Sequence, residues 1–496
     1  MNKAERSATE SAEPRAETKG NAHQQSTHRT QSRVSVTQAL ERVRKAASKS
    51  KQEKFTALFH HLSIEHLEAA FFELQENAAA GVDGLTWRAY EVDLERNLEE
   101  LHGRLHRGAY RPLPYRRVYI PKPDGRQRPL AIAALEDKLI QRATTAVLNA
   151  IYEEEFLGFS YGFRPGRDAH DAMDALMVAI ESRKVNFILD ADIRSFFDTV
   201  DQEWLIRFVE HRVGDRRIVR LIRKWLKAGV LEDGIVNISD KGTGQGAVIS
   251  PLLANIYLHY GLDQWAERWR RHTAMGDMII VRYADDFIIG FEYESDARRF
   301  LDAMRDRLGK FALSLHPEKT RLIEFGRYAA KNRQRHGLGK PETFNFLGFT
   351  FICSQSRRGK FQIKRKSQRD RMRARLQAIK QELRRRTHQP IPVQGKWLNR
   401  VVTGYLNYHA VPTNSRALAT FRFFVTELWQ QTLRRRSQKG GMTWERITRL
   451  ANDWLPQPRI LHPWPQARFA VTHPRWEPYA GKPPVRFWAG CALQAR

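Results

Sequence analysis

The sequence predicts an α+β protein on three observations. Two apolar, β-branched runs, Ile279-Ile280-Val281 and Phe287-Ile288-Ile289, flank a short polar break, Arg282 to Asp286. That pattern reads as a buried β-hairpin with two adjacent carboxylates, Asp285 and Asp286, at its tip. A second apolar strand, Phe187-Ile188-Leu189-Asp190-Ala191-Asp192, also carries acids, and the segments between and after these strands repeat apolar residues at helical spacing.

Neighbouring anions with apolar flanks repel each other and resist desolvation, so they need a strong cation nearby, and a pair of divalent metal ions is the usual one. The acidic hairpin therefore suggests the metal ligands of a nucleotidyl-transfer site. For an isolated Asp-Asp, an ordinary Asp-rich turn is the competing reading.

Composition narrows the choice. At 496 residues the chain has room for about three domains. Lys plus Arg total 84 against 55 Asp plus Glu, a net charge of +29, which points to a polyanionic partner. With no basic amphipathic anchor in view, nucleic acid fits better than a membrane surface. A hydrophobic content of 42% with 12 Trp and 26 Phe implies packed cores and possible stacking surfaces, unlike a histone-like protein. The two cysteines, Cys353 and Cys491, are far apart, which excludes a disulfide framework and a cysteine-based zinc site. With no signal peptide and no apolar run of bilayer length, a cytoplasmic, RNA-associated location is expected.

Taken in order, residues 1–35 are polar and are expected to be a disordered leader. Helical spacing follows at Leu62 to Leu74 and Tyr90 to Leu105, around a glycine-rich loop, Ala79 to Gly84, that lacks the Walker Lys-Ser/Thr. Arg117 to Ile132 reads as two strands around Pro123-Asp124-Gly125, with Lys122 and Arg128 on opposing arms, as a triphosphate clamp or as solvated surface cations. A helix, Glu136 to Tyr152, leads to a loop, Tyr161 to Arg167, with two guanidiniums. Asp190 and Asp192 share a strand face, and Asp198 is placed at a helix start as a cap. The loop Gly242 to Pro251 precedes a helix expected over Leu252 to Trp269, and its glycines let backbone approach a template or nucleotide. Further on come a helix from Ser295 to Phe311, the segment Leu313 to Thr320, a strand from Phe344 to Phe351 and a cationic helix from Arg357 to Arg386 with Leu376, Ile379 and Leu383 on one face. Trp397 to Arg436 is helical with interleaved aromatics, and the last forty residues, with His462-Pro463-Trp464 and His473-Pro474-Arg475-Trp476, are expected to be extended.

The order of these features resembles the bacterial group II intron-encoded reverse transcriptase/maturases. The resemblance is carried by Ala79 to Gly84, Lys122 to Pro129, Tyr161 to Arg167, Asp192 to Asp198, Gln245-Gly246 with Ser250 to Asn255, Tyr283-Ala284-Asp285-Asp286, and Phe346-Leu347-Gly348-Phe349. It implies a right-hand polymerase with an N-terminal extension and fingers (36–185), a palm with an antiparallel sheet and finger insertions (186–352) and a helical thumb (353–390), then a helical maturase domain and Pro/Trp-rich tail (391–496). By the same resemblance, Asp192, Asp285 and Asp286 hold two Mg²⁺ ions, and Lys122, Arg128, Phe197, Gln245, Gly246 and Lys319 bind the dNTP. In that set Phe197 gates against the ribose 2′-hydroxyl, Gln245 and Gly246 sit beside the template base, and Lys319 assists proton transfer to pyrophosphate. Implied partners are intron RNA, a DNA target or primer, and dNTPs. The family's glycine loop usually has Pro before the Gln where this chain has Gly244, which should loosen the loop. The cysteine pairs of the zinc-type nuclease found in some relatives are absent, so target-strand cleavage is not expected. A splicing-only maturase and a retron or defence-type enzyme remain open; the latter ought to lack the long aromatic-basic C-terminal region.

Overall fold

Capped amphipathic helices build the N-terminal part. The computed structural model describes residues 35–121, 127–436 and 441–472; the leader through residue 34, Lys122 and the tail beyond residue 472 lie outside them. Helix α1 (35–49) is followed by α2 (Ile64–Glu73), α3 (Trp87–Glu91) and α4 (Leu94–His106), with Ser63 and Thr86 side chains accepting the N-cap hydrogen bonds of α2 and α3. Strands β1 (Tyr115–Pro121) and β2 (Gln127–Ile132) pair antiparallel, so the Pro-Asp-Gly segment is flanked by a hairpin, and Arg128 lies opposite Ile120. Helices α5 (Leu135–Tyr152) and α6 (Ala169–Ser182) are largely buried.

Strand β3 (Phe187–Asp192) carries the first acids. A short helix α7 (Phe196–Thr199) follows, then α8 (Gln202–Arg212), α9 (Arg216–Leu226) and the small strands β4 (Val230–Glu232) and β5 (Ile235–Asn237). Asp198 is not the expected cap: it lies inside α7, and the capping carboxylate is Asp201, whose Oδ1 accepts from Trp204 N at 2.9 Å. The expected long helix after the glycine loop is divided by a π-helical turn, His259–Asp263, into α10 (Ser250–Leu258) and α11 (Gln264–His272).

Strands β6 (Met278–Tyr283) and β7 (Asp286–Phe291) form the acidic hairpin, and after α12 (Glu294–Gly309) strand β8 (Arg321–Glu324) completes an antiparallel sheet in the order β6-β7-β3-β8. Its apolar runs are continuous because both faces are covered. Ile279, Val281, Ile188 and Ile288 pack with α6, while Met278, Ile280, Ile289 and Leu189 join α10 and α12.

Past α13 (Ala329–Arg335), the single strand expected over Phe344 to Phe351 is a hairpin, β9 (Phe344–Phe346) and β10 (Phe349–Gln355), because Leu347 and Gly348 turn the chain at φ 48° and 86°. The first part of the expected cationic helix is likewise a strand. Strand β11 (Phe361–Ser367) pairs with β10 and buries Ile363 and Arg365 alternately, and the helix starts only at α14 (Arg369–Arg385). Two helices, α15 (Ile391–His409) and α16 (Ser415–Arg434), replace one continuous helical region, and α17 (Trp444–Trp454) packs with them. Ile379 and Leu383 of α14 belong to this same core, around fully buried Trp429, whose Nε1 donates to Gln394 Oε1 at 2.8 Å. The tail is not wholly extended: α18 (Pro465–Thr472) packs on α6, and Arg468 pairs with Asp168 at 2.9 Å and Asp171 at 3.1 Å. Among the described residues no helix is long and apolar enough to cross a membrane.

Because Trp429 joins α14 to the C-terminal helices, Trp429→Ala should cost roughly 3–5 kcal/mol of stability. Chemical denaturation measures this; an unchanged midpoint would contradict the shared core.

Candidate active site

The β3–β7 register gathers the acids. Asp192, the last residue of β3, stands directly opposite Asp286, the first of β7, and Asp285 precedes it in the turn. Ala284 makes that turn possible with a left-handed φ of 58°, a conformation that costs a non-glycine residue about 1–2 kcal/mol. Asp190 lies two residues back on the Asp192 face of β3 and lines the same cleft.

Cations answer this charge from three directions. The Lys319 ammonium donates to Asp192 Oδ2, Arg321 Nη2 lies 3.4 Å from Asp190 Oδ2, and Arg128 faces the cleft from β2. The cleft, about 1160 Å³, is closed on its far side by Arg371 and Arg373 of α14 and by the Leu347-Gly348 turn. Asp286 keeps an exposed edge at the cleft mouth, but the protein atoms around it and then the charges of Asp285, Asp192 and Asp190 push its carboxyl up to about 7. Desolvation likewise pushes Asp190 up to about 6 against the pull of Arg321, and raises Asp285.

An all-carboxylate donor set suits a hard cation such as Mg²⁺. Among the described residues no three carboxylate, imidazole or thiolate groups stand at ligand spacing, and Lys319 engages Asp192. The donor chemistry fits a hard cation, whereas the spacing, with Lys319 closed on Asp192, does not.

The sequence-predicted residues fall in two places. Arg128 and Lys319 share the cleft with Asp192 and Asp286, whereas Phe197 and Gln245 line a separate cavity of about 230 Å³ with Tyr115, Arg117 and Gln202. The glycine loop is stitched on both sides of this cavity. Gln245 O accepts from Ala131 N at 2.7 Å, Thr243 N donates to Phe197 O at 2.8 Å, and Gly244 O accepts from Ala247 N and Ser250 Oγ. Gly246, at φ 111°, presses against Ala131, where an added Cβ would lie 3.0 Å from the carbonyl oxygen. Lys122 lies outside the described residues.

Sequence reasoning missed Arg371 and Arg373 as cleft residues, although Asp370, Arg371, Arg373, Ala374 and Gln377 recur on one helical face. It also missed the roles of Arg164 and Arg167. Both are buried, and both donate to Ser160 O, at 2.9 and 2.7 Å, fastening the loop behind the acidic turn.

Carboxylates at the mouth of a cleft fringed by guanidinium and ammonium groups are a set suited to divalent cations and phosphate. Residues 120–351 match the family model described as reverse transcriptase (RNA-dependent DNA polymerase). Protein YkfC of Escherichia coli is 31% identical over 334 residues, covering 60% of this chain and 82% of YkfC. The group II intron-encoded protein LtrA of Lactococcus lactis is 36% identical over 222 residues, 44% of this chain but 37% of LtrA, so the chain spans little more than a third of that relative. Nuclear intron maturase 3, mitochondrial, of Arabidopsis thaliana is 30% identical over 137 residues, covering 27% of this chain and 18% of that relative. The chain belongs to the reverse transcriptase family, among the group II intron-encoded reverse transcriptase/maturases.

Proposed function

We propose that the cleft copies RNA into DNA and that the basic helical C-terminal part holds a group II intron RNA during splicing and mobility. The observation that carries the polymerase reading is the placement of Asp192 opposite Asp286, with Asp285 beside them, on a rigid sheet facing exposed cations. In this reading the sheet β6-β7-β3-β8 is the palm of a right hand, residues 36–185 supply the fingers, α14 the thumb and residues 391–496 the maturase part. For the RNA-binding role, support comes from the +29 charge and from exposed Phe423, Phe424 and Trp444, which cluster on α16 and α17.

Asp192, Asp285 and Asp286 would hold two Mg²⁺ ions. Bound there, the ions activate the primer 3′-hydroxyl and offset charge on the leaving pyrophosphate. Arg128, together with Lys122, grips the triphosphate as a charge-assisted clamp. With ions bound by Asp192, Lys319 would release that carboxylate and could donate a proton toward pyrophosphate. Phe197 excludes a 2′-hydroxyl from the sugar pocket, and Gln245 and Gly246 lie beside the template base.

Primer extension on an RNA template with Mg²⁺ tests the reading. Asp285→Ala should lower cDNA synthesis by about a thousandfold or more while sparing splicing assistance; a fully active variant would reject the site. Phe197→Ala should raise incorporation of ribonucleotides relative to deoxyribonucleotides by about tenfold or more. Unchanged discrimination would reject the gate.

A further inference from the structure

An arginine fills a core position directly behind the acidic turn. Arg282, on β6, is fully buried on the same sheet face as Met278 and Ile280. All three guanidinium nitrogens are engaged: Nε and Nη2 donate to Asp263 Oδ1 and Oδ2 at 2.9 and 2.5 Å, while Nη1 donates to Asn255 Oδ1 at 2.9 Å and to Ala284 O at 3.0 Å. Asp263 and Asn255 are themselves buried.

Stability alone does not explain this arrangement. Desolvating two charges can cost more than their attraction returns, and apolar residues of similar volume often serve a core as well or better. What an apolar side chain could not supply is the bond to Ala284 O, the carbonyl of the left-handed residue just before Asp285. Asn255 extends the anchor by donating from Nδ2 to Gly162 O at 2.8 Å. Gly162 abuts the turn so closely that an added Cβ would lie 2.3 Å from Ala284 N. The backbone bonds Tyr161 N to Arg282 O and Arg282 N to Phe159 O, at 2.9 and 2.8 Å, tie the same loop along β6.

The π-helical turn supplies the remaining partner. Each residue advances an α-helix by about 100°, so the extra residue wound into His259–Asp263 resets the phase of the helix and aims Asp263 at Arg282. A regular helix would direct that carboxylate to another side.

We propose that Arg282, oriented by Asp263 from the π-helical turn and by Asn255, is a positioning residue that fixes where Asp285 and Asp286 stand. This rests on reading those two aspartates as part of the reacting centre. Arg282→Lys keeps the charge but loses the planar fork, and Asn255→Ala cuts the link to Gly162 while leaving the ion pair. Arg365→Lys is the control, because Arg365 makes another buried ion pair, with Asp174 at 2.7 Å, in β11 away from the turn.

The experiment combines single-turnover primer extension on an RNA template, hydrogen exchange at the 284–286 amides and thermal melting, on wild type and all three variants, with Asp285→Ala beside them. Arg282→Lys and Asn255→Ala should slow the chemical step by about tenfold or more, with primer-template affinity preserved, and should accelerate exchange at the turn. Arg365→Lys should lower the melting temperature yet leave both rate and turn exchange at wild-type values. Should Arg282→Lys fail to fold, Asn255→Ala decides. An Asn255→Ala protein with wild-type rate and exchange, or an equal loss in Arg365→Lys, would overturn the proposal. If instead wild type were inactive or Asp285→Ala active, the polymerase reading itself would fail.

Discussion

Like charges gathered at one cleft edge set the terms for the rest of this molecule. Asp192 and Asp286 face each other across two strands, with Asp285 and Asp190 next to them, and lost hydration, with their mutual repulsion added, raises Asp286, Asp285 and Asp190 above the ordinary carboxylate range. Such a cluster disperses unless its backbone is held and its charge is answered. The sheet holds the backbone, covered by α6 on one face and by α10 and α12 on the other. Lys319, Arg321 and Arg128 answer the charge without filling the cleft. A left-handed alanine between the strands is tolerated because its carbonyl is bonded from within the core.

The cleft is also coupled to the C-terminal helices. Arg371 and Arg373 project into it from α14, whose opposite face carries Ile379 and Leu383 into the core of α15 to α17. At the other end of that region, His462 stacks on His170 with ring centroids 4.1 Å apart, and Arg468 pairs with the acids that open α6. The C-terminal part is thus packed onto α6, which in turn covers one face of the sheet that carries the acids.

Much of this was legible in the sequence, for identifiable reasons. The acidic hairpin and β3 showed themselves because a sheet covered on both faces leaves long apolar runs, and two carboxylates interrupting such runs stand out. The C-terminal elements were less visible. In Phe361 to Ser367 the cations Lys364, Arg365 and Lys366 are consecutive, and their helix-favouring stems mask a strand that pairing with β10 reveals. Leu347 turned a single expected strand into a hairpin through a left-handed conformation that a leucine does not advertise. Asp198 has the composition of a cap, but Ser195 opens α7 instead and the capping falls to Asp201. Arg282 was hidden most completely. Near the end of β6, beside the acidic turn, it reads as part of a polar break, and its burial depends on Asp263, nineteen residues earlier, reaching it through a π-helical turn with no sequence signature of its own.

The central claim is that Asp192, Asp285 and Asp286 together hold the ions of nucleotidyl transfer. Anomalous diffraction tests it most directly, from crystals grown with Mn²⁺, an RNA–DNA primer-template and a non-hydrolysable dNTP. The expected map shows ion peaks coordinated by all three carboxylates, with the Lys319 ammonium withdrawn from Asp192. Peaks elsewhere in the cleft, with Lys319 still closed on Asp192, would contradict it.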